Sequence, residues 1–208
     1  MGEGGRRRII MPQKLKLLFP TPLVKTNIGT DFDISNIEFQ RSSSGWISVD
    51  QYYLDNNKKL KDSIEKEIEI YFRETLKVKK NVYLKHQTSW ALLHKKGDFS
   101  PRHYHSNSWL SGVYYFKQLK NSGAVQFHAQ RPYGWSCSSM NPIESLEEIN
   151  DITSGGHVIN PIEGDLLLFP SQLDHSSFPN ATNEDRVAIS FNYTLHGTWG
   201  ANTGRITI

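Results

Sequence analysis

The spacing of apolar residues changes along the chain. Residues 15 to 28, LKLLFPTPLVKTNI, form an apolar run interrupted by Pro20 and Pro22. Proline cannot donate to a central ladder, so this run predicts a strand at a sheet edge. Between Asn56 and Val78 the period lengthens, with Leu60, Ile64, Ile68, Phe72 and Leu76 recurring every four positions among lysines and glutamates. That spacing predicts an amphipathic helix whose apolar stripe packs on a sheet. Beyond Lys80 the pattern becomes short apolar or alternating runs: VYLKHQTSWALLHK, WLSGVYYFK, AVQFHAQ, HVINP, GDLLLFP, DRVAISFNYTL and RITI. Clusters of Gly, Pro, Asn and Ser separate them. Many short strands with little helix between them predict a mainly β, antiparallel sandwich or barrel, of which the jelly roll is the leading form.

Composition narrows this picture. The 208 residues suffice for one ordinary domain with its own core. Residues 1 to 14, rich in Gly and Arg, read as a disordered leader, and 15 to 208 as a single jelly-roll domain. A net charge of +3 comes largely from that leader and from lysine-rich loops interspersed with 21 acids, a weak footprint for nucleic acid, so no nucleic-acid partner is expected. The single cysteine, Cys137, excludes an intramolecular disulfide framework and Cys-rich zinc motifs. It suits a reducing compartment, and with no run of membrane-spanning length or signal-type apolar core the expectation is a cytoplasmic protein without membrane attachment. Residues 131 to 156 are long for a connection and carry Arg131, Tyr133 and Trp135, which makes them a candidate substrate-recognising loop.

The chemistry concentrates in PRHYHSNSWLSGVYYF, residues 101 to 116, where His103 and His105 stand two apart before a strand. A third histidine, His175, follows the strand GDLLLFP in FPSQLDHSSFPN and is expected on a loop that returns over the sheet. Three imidazoles at an open site suit iron, copper, nickel or zinc. Arg186 then opens a strand whose alternation puts Arg186, Ala188, Ser190 and Asn192 on one face and Val187, Ile189 and Phe191 on the other. The polar face is either an outer surface in water or a pocket floor, in which a buried guanidinium calls for a carboxylate. Beside a metal, such an arginine suggests a small oxo-acid that chelates the ion at one end and is held at the other.

These residues carry a resemblance. LFPTPL, SWALLHKKGDFSPRHYHSNSWLSGVYYF and PIEGDLLLFPSQLDHSSFPNATNEDRVAISFN occur in the order and spacing of the 2-oxoglutarate and Fe(II)-dependent oxygenases, and the chain resembles a family among them with an HxH, distal H and R pattern. The resemblance implies a double-stranded β-helix holding Fe(II), with 2-oxoglutarate and O2 as co-substrates. His103 and His175 would ligate the metal and Arg186, with Ser190, would take the far carboxylate. Asn192 and Tyr115 are further co-substrate candidates, Tyr115 because it shares strand parity with the histidines. The implied reaction couples decarboxylation of 2-oxoglutarate to hydroxylation of a C–H bond in a peptide, a protein side chain or a small metabolite.

One position departs from the wider superfamily, which has a carboxylate two residues after the first histidine. Here it is His105. Three neutral ligands would leave a ferrous site at +2, strengthening its hold on an anion; alternatively His105 does not ligate, with water or nearby Asn107 in its place. Three histidines also describe catalytic zinc, so a cupin-like zinc or iron enzyme without 2-oxoglutarate, and a non-catalytic jelly-roll binding module, both remain open. Trp90, Trp109, Arg131 and Trp135 are substrate candidates. His86, His94, His128, His157 and His196 read as surface or hydrogen-bonded residues without a role. The terminal GTWGANTGRITI is free to add an edge strand or to pair with a second copy, leaving a homodimer open.

Overall fold

The computed structural model describes residues 20–129, 147–148 and 154–208. The expected leader, Arg131, Tyr133, Trp135, Cys137 and most of the candidate loop at 131–156 lie outside the described residues.

Helix α1 spans Lys58–Ile70 and starts where the Asn57 side chain accepts a hydrogen bond from the Leu60 amide, satisfying one otherwise orphaned donor. It is shorter than the apolar period over 56–78 predicts. The ladder widens into a π turn at Tyr71–Thr75, and Lys77 enters the left-handed region at φ 54°, which ends the run. Leu60, Ile64, Ile68 and Phe72 are buried as the period requires.

The strands are β1 (Val24–Asn27), β2 (Phe39–Ser42), β3 (Gly45–Ser48), β4 (Val82–His94), β5 (Leu110–Lys117), β6 (Val125–His128), β7 (Gly156–Ile159), β8 (Asp165–Pro170), β9 (His175–Ser177), β10 (Arg186–Trp199) and β11 (Ile206–Thr207). A large sheet runs in the order β1, β8, β5, β10, β4, β3, β2, with β11 folded back onto β10, and a small one in the order β7, β6, β9. All pairings between these strands are antiparallel. The two sheets form a double-stranded β-helix, a jelly roll, with α1 backing the large sheet. β1 occupies an edge and pairs with β8 alone; of the run at 15–28 only Val24–Asn27 is a strand, starting after Pro20 and Pro22, and residues 15–19 lie outside the described residues. Among the described residues no helix is long and apolar enough to cross a membrane.

Two observations correct the sequence reading. The hairpin β2–β3 extends the large sheet beyond β4, whereas the sequence pattern suggested β structure only beyond Lys80 apart from the edge strand. His175 lies at the start of a strand, β9, paired with β6, and not on a loop.

Period-two alternation sorts the large sheet into two buried layers. Leu110, Tyr114, Leu166, Leu168, Ile189 and Phe191 pack outward with Leu60, Ile64 and Ile68 of α1. Tyr115, Leu167, Phe169 and Ala188 pack inward with Val125, Phe127 and Ile159 of the small sheet. Covered on both faces, DLLLFP can be apolar almost throughout. Gly112 lies where β5 passes under Phe191: a Cβ there would meet Phe191 Cζ at 2.3 Å and the Leu167 carbonyl oxygen at 2.7 Å.

Candidate metal centre

The chain from Gly97 to His105 zips against β9 and its flanks. Asn180 donates its amide to Asp98 O at 3.0 Å, Ser177 to Ser100 O at 3.0 Å, and His105 to Ser171 O at 2.8 Å. His103 and His175 exchange both backbone hydrogen bonds, each 2.9 Å. This segment lines the edge of the small sheet, and the pairing carries three imidazoles to one place. The metal-binding atoms of His103, His105 and His175 all lie within 4.8 Å of one another.

Two of the rings are aimed by their own backbone. His103 Nδ1–H donates to Pro101 O at 2.7 Å and His175 Nδ1–H to Leu173 O at 2.8 Å. Each bond fixes the tautomer with the Nε2 lone pair free, as metal-ligating histidines require. His105 has no such ring bond among the described residues; its ring sits 5.9 Å from that of Trp90. Burial, reinforced by His103, pushes the His105 imidazole down to about 4. Burial and the neighbouring His103 take His175 down to about 3, against the pull of the Leu173 carbonyl. Both are therefore neutral at pH 7, the form that donates to a metal.

The histidines open onto a cavity of about 280 Å³ between the sheets, lined also by Trp90, Tyr115, Arg186, Ser190 and Ser42 to Ser44. Arg186 is 5% exposed. Its Nη1 donates to Ser122 O at 3.2 Å and Gly123 O at 3.1 Å, and its Nη2 to Ser177 Oγ at 3.3 Å and to His94 Nδ1. Every one of these acceptors is uncharged, and no carboxylate pairs with Arg186 among the described residues. Burial lowers its pKa from the usual arginine range. Tyr115, also buried, lines the same cavity; desolvation raises its hydroxyl to about 12 despite the Arg186 charge, and that hydroxyl has no hydrogen-bond partner among the described residues. A buried cation without a counterion, next to a free hydroxyl donor, has the chemistry to accept an anion.

The sequence candidates divide by strand face. Arg186, Ser190, Tyr115 and Trp90 line the cavity with the three histidines. Asn192 lies on the same face but is turned to its neighbours, accepting from Ser111 Oγ at 2.7 Å and donating to Thr88 Oγ1 at 3.4 Å. Trp109 lies outside the cavity, its ring edge-on to Phe72 at 5.4 Å. Arg131 and Trp135 lie outside the described residues. Sequence reasoning passed over His94, which is 1% exposed and pairs in register with Arg186. Parity along β4, which gives Trp90, Leu92 and His94 one face, carries the signal for it.

Comparisons with known proteins bear on the fold and the family. No curated protein sequence matches the chain. Among solved structures, an oxidoreductase of the 2OG-Fe(II) oxygenase family from Burkholderia pseudomallei is similar in fold, with a TM-score of 0.58 at 11% identity over 83% of this chain and 84% of that one. A prolyl-4-hydroxylase from Pseudomonas putida gives a TM-score of 0.46 at 15% identity over 76% and 77%. A family model described as "Putative 2OG-Fe(II) oxygenase" matches residues 88–192, half of the chain, from the strand that carries Trp90 to the one that carries Arg186. The chain belongs to this 2OG-Fe(II) oxygenase family.

Proposed function

We propose that the protein is an Fe(II)- and 2-oxoglutarate-dependent hydroxylase in which His103, His105 and His175 hold the metal and Arg186 holds the far carboxylate of the co-substrate. The observation that carries this reading is the placement of a three-histidine cluster and a buried, acid-free Arg186 on one cavity. The donor set fits the group: imidazole nitrogens suit a divalent iron, and the guanidinium fork suits a carboxylate.

When bound, the iron and its co-substrate supply oxidative decarboxylation by O2, giving succinate and CO2 and placing an oxygen atom on a C–H bond of the substrate. The chain's own residues orient and shield. Backbone carbonyls of Pro101 and Leu173 lock two imidazoles; Arg186, Tyr115 and Ser190 bind and orient the dicarboxylate; Val113, Val125 and Phe169 exclude water from the cavity wall. Trp90, which lines the cavity beside His105, is the wall residue this reading assigns to a substrate that is a peptide side chain or a small metabolite. A reading as a zinc enzyme without 2-oxoglutarate leaves the buried guanidinium without a counterion and the free Tyr115 hydroxyl without an acceptor.

The test is uncoupled turnover: iron-loaded protein incubated with 2-oxoglutarate and O2 should release succinate slowly, and Arg186→Ala should not. Iron-loaded protein that consumes no 2-oxoglutarate under any substrate supplement contradicts the reading.

A further inference from the structure

The Arg186 guanidinium is held by four acceptors, of which three are fixed by backbone or by a short side chain: Ser122 O, Gly123 O and Ser177 Oγ. The fourth is the His94 ring, in register across the ladder between β4 and β10. His94 is itself pinned on its other sides. Its Nε2 lies 3.5 Å from Ser100 Oγ, and its Cδ2 would lie 2.8 Å from a Cβ at Gly45. Gly45, at φ +96°, closes the β2–β3 turn whose serines line the cavity. His94 thus bridges the guanidinium and the turn that walls the pocket.

We propose that His94 is a positioning residue for co-substrate binding: its uncharged Nδ1 aims the Arg186 guanidinium at the incoming carboxylate without neutralising it, and its ring seats the β2–β3 turn over the same pocket. This rests on the reading of Arg186 as the carboxylate-binding residue. The choice of an imidazole follows from the electrostatics. A carboxylate at this position would form an internal ion pair with Arg186 and occupy the charge that the ligand needs, whereas an apolar residue would leave a buried N–H without its acceptor and the fork held less tightly on that side. Burial and the adjacent guanidinium keep the ring in its neutral, accepting form.

The experiment is calorimetric titration of 2-oxoglutarate into protein loaded anaerobically with Fe(II), comparing the parent with His94→Asn, His94→Ala and His94→Asp, with thermal unfolding of each. His94→Asn keeps an acceptor near the Nδ1 position and is expected to bind within about threefold of the parent; His94→Ala should bind roughly tenfold to a hundredfold more weakly. His94→Asp should lose binding while keeping its iron. Asn and Asp are nearly isosteric, so their comparison stands even if the alanine variant does not fold. A merely structural histidine predicts that Asn and Asp lose stability together and bind alike, which would overturn the proposal. Equal binding by the parent and His94→Ala also overturns it, leaving the oxygenase reading intact. A parent that takes up iron but binds no 2-oxoglutarate overturns both.

Discussion

His103 and His175 face each other across an isolated antiparallel bridge, exchanging two 2.9 Å backbone hydrogen bonds and bringing their ring centroids to 4.3 Å. Two residues far apart in sequence are thus held together by main-chain hydrogen bonds, independently of what their side chains contact. The same bridge places the candidate metal centre.

The three histidines are therefore not equivalent. His103 and His175 have backbone-anchored rings and His105 does not. Replacing His175 by Ala should weaken Fe(II) binding by roughly a hundredfold or more. His105→Asp, which restores a two-histidine, one-carboxylate set, should stay within about tenfold of the parent. Anaerobic metal titration measures both; equal losses in the two variants would show that anchoring does not rank the ligands.

Gly123 packs against the Arg186 guanidinium and accepts its Nη1 hydrogen bond, so the proposed anion pocket should depend on it. Its φ is +104°, and an added Cβ would lie 2.4 Å from Phe178 O and 2.6 Å from Arg186 Nη1. Gly123→Ala should cost about 2 kcal/mol or more of stability by urea unfolding, from strain and contact together. It should also weaken 2-oxoglutarate binding, because the guanidinium must move. A variant with parent stability and affinity would remove the case for a tight Arg186 cradle.

Acid should destabilise the metal-free protein partly through His94. Burial, then the Arg186 charge, pushes its imidazole down to about 4; the Ser44 backbone and Asp98 oppose this, and Arg41 adds to it. The ordinary histidine value is 6.5, so between these values the unfolded chain binds a proton that the folded one refuses. Stability from this group is full above pH 6.5 and declines as pH falls toward 4. Between pH 7 and pH 5 the parent should lose about 2 kcal/mol more than His94→Asn, which cannot titrate. Unfolding curves at the two pH values test this, and parallel losses would contradict it.

Much of this architecture was legible before any coordinates. The four-residue recurrence of Leu60, Ile64 and Ile68 gave the helix and its buried face, and the alternation in RVAISFN put Arg186 and Ser190 on one side, where the structure has them lining the cavity. The apolar run DLLLFP marked a strand, which the structure covers on both faces. The helix end was not legible, because a π turn continues the apolar period after α-helical bonding has stopped. The hairpin β2–β3 was missed because FQRSSSGWIS has too few apolar positions to show a period, and β9 because three residues are too short for one. His94 was hidden for a different reason: a polar residue at a strand end reads as surface until the partner strand supplies Arg186 in register.

The central claim is that one cavity holds a metal at its histidines and a 2-oxoglutarate carboxylate at Arg186. It is tested most directly by titrating the metal-free protein with Fe(II) and 2-oxoglutarate under anaerobic conditions and recording the weak visible charge-transfer band of the chelate. The account predicts a band in the parent, its sharp loss in Arg186→Ala, and unchanged Fe(II) uptake in that variant. Iron binding without a band in the parent, or an undiminished band in Arg186→Ala, would contradict it.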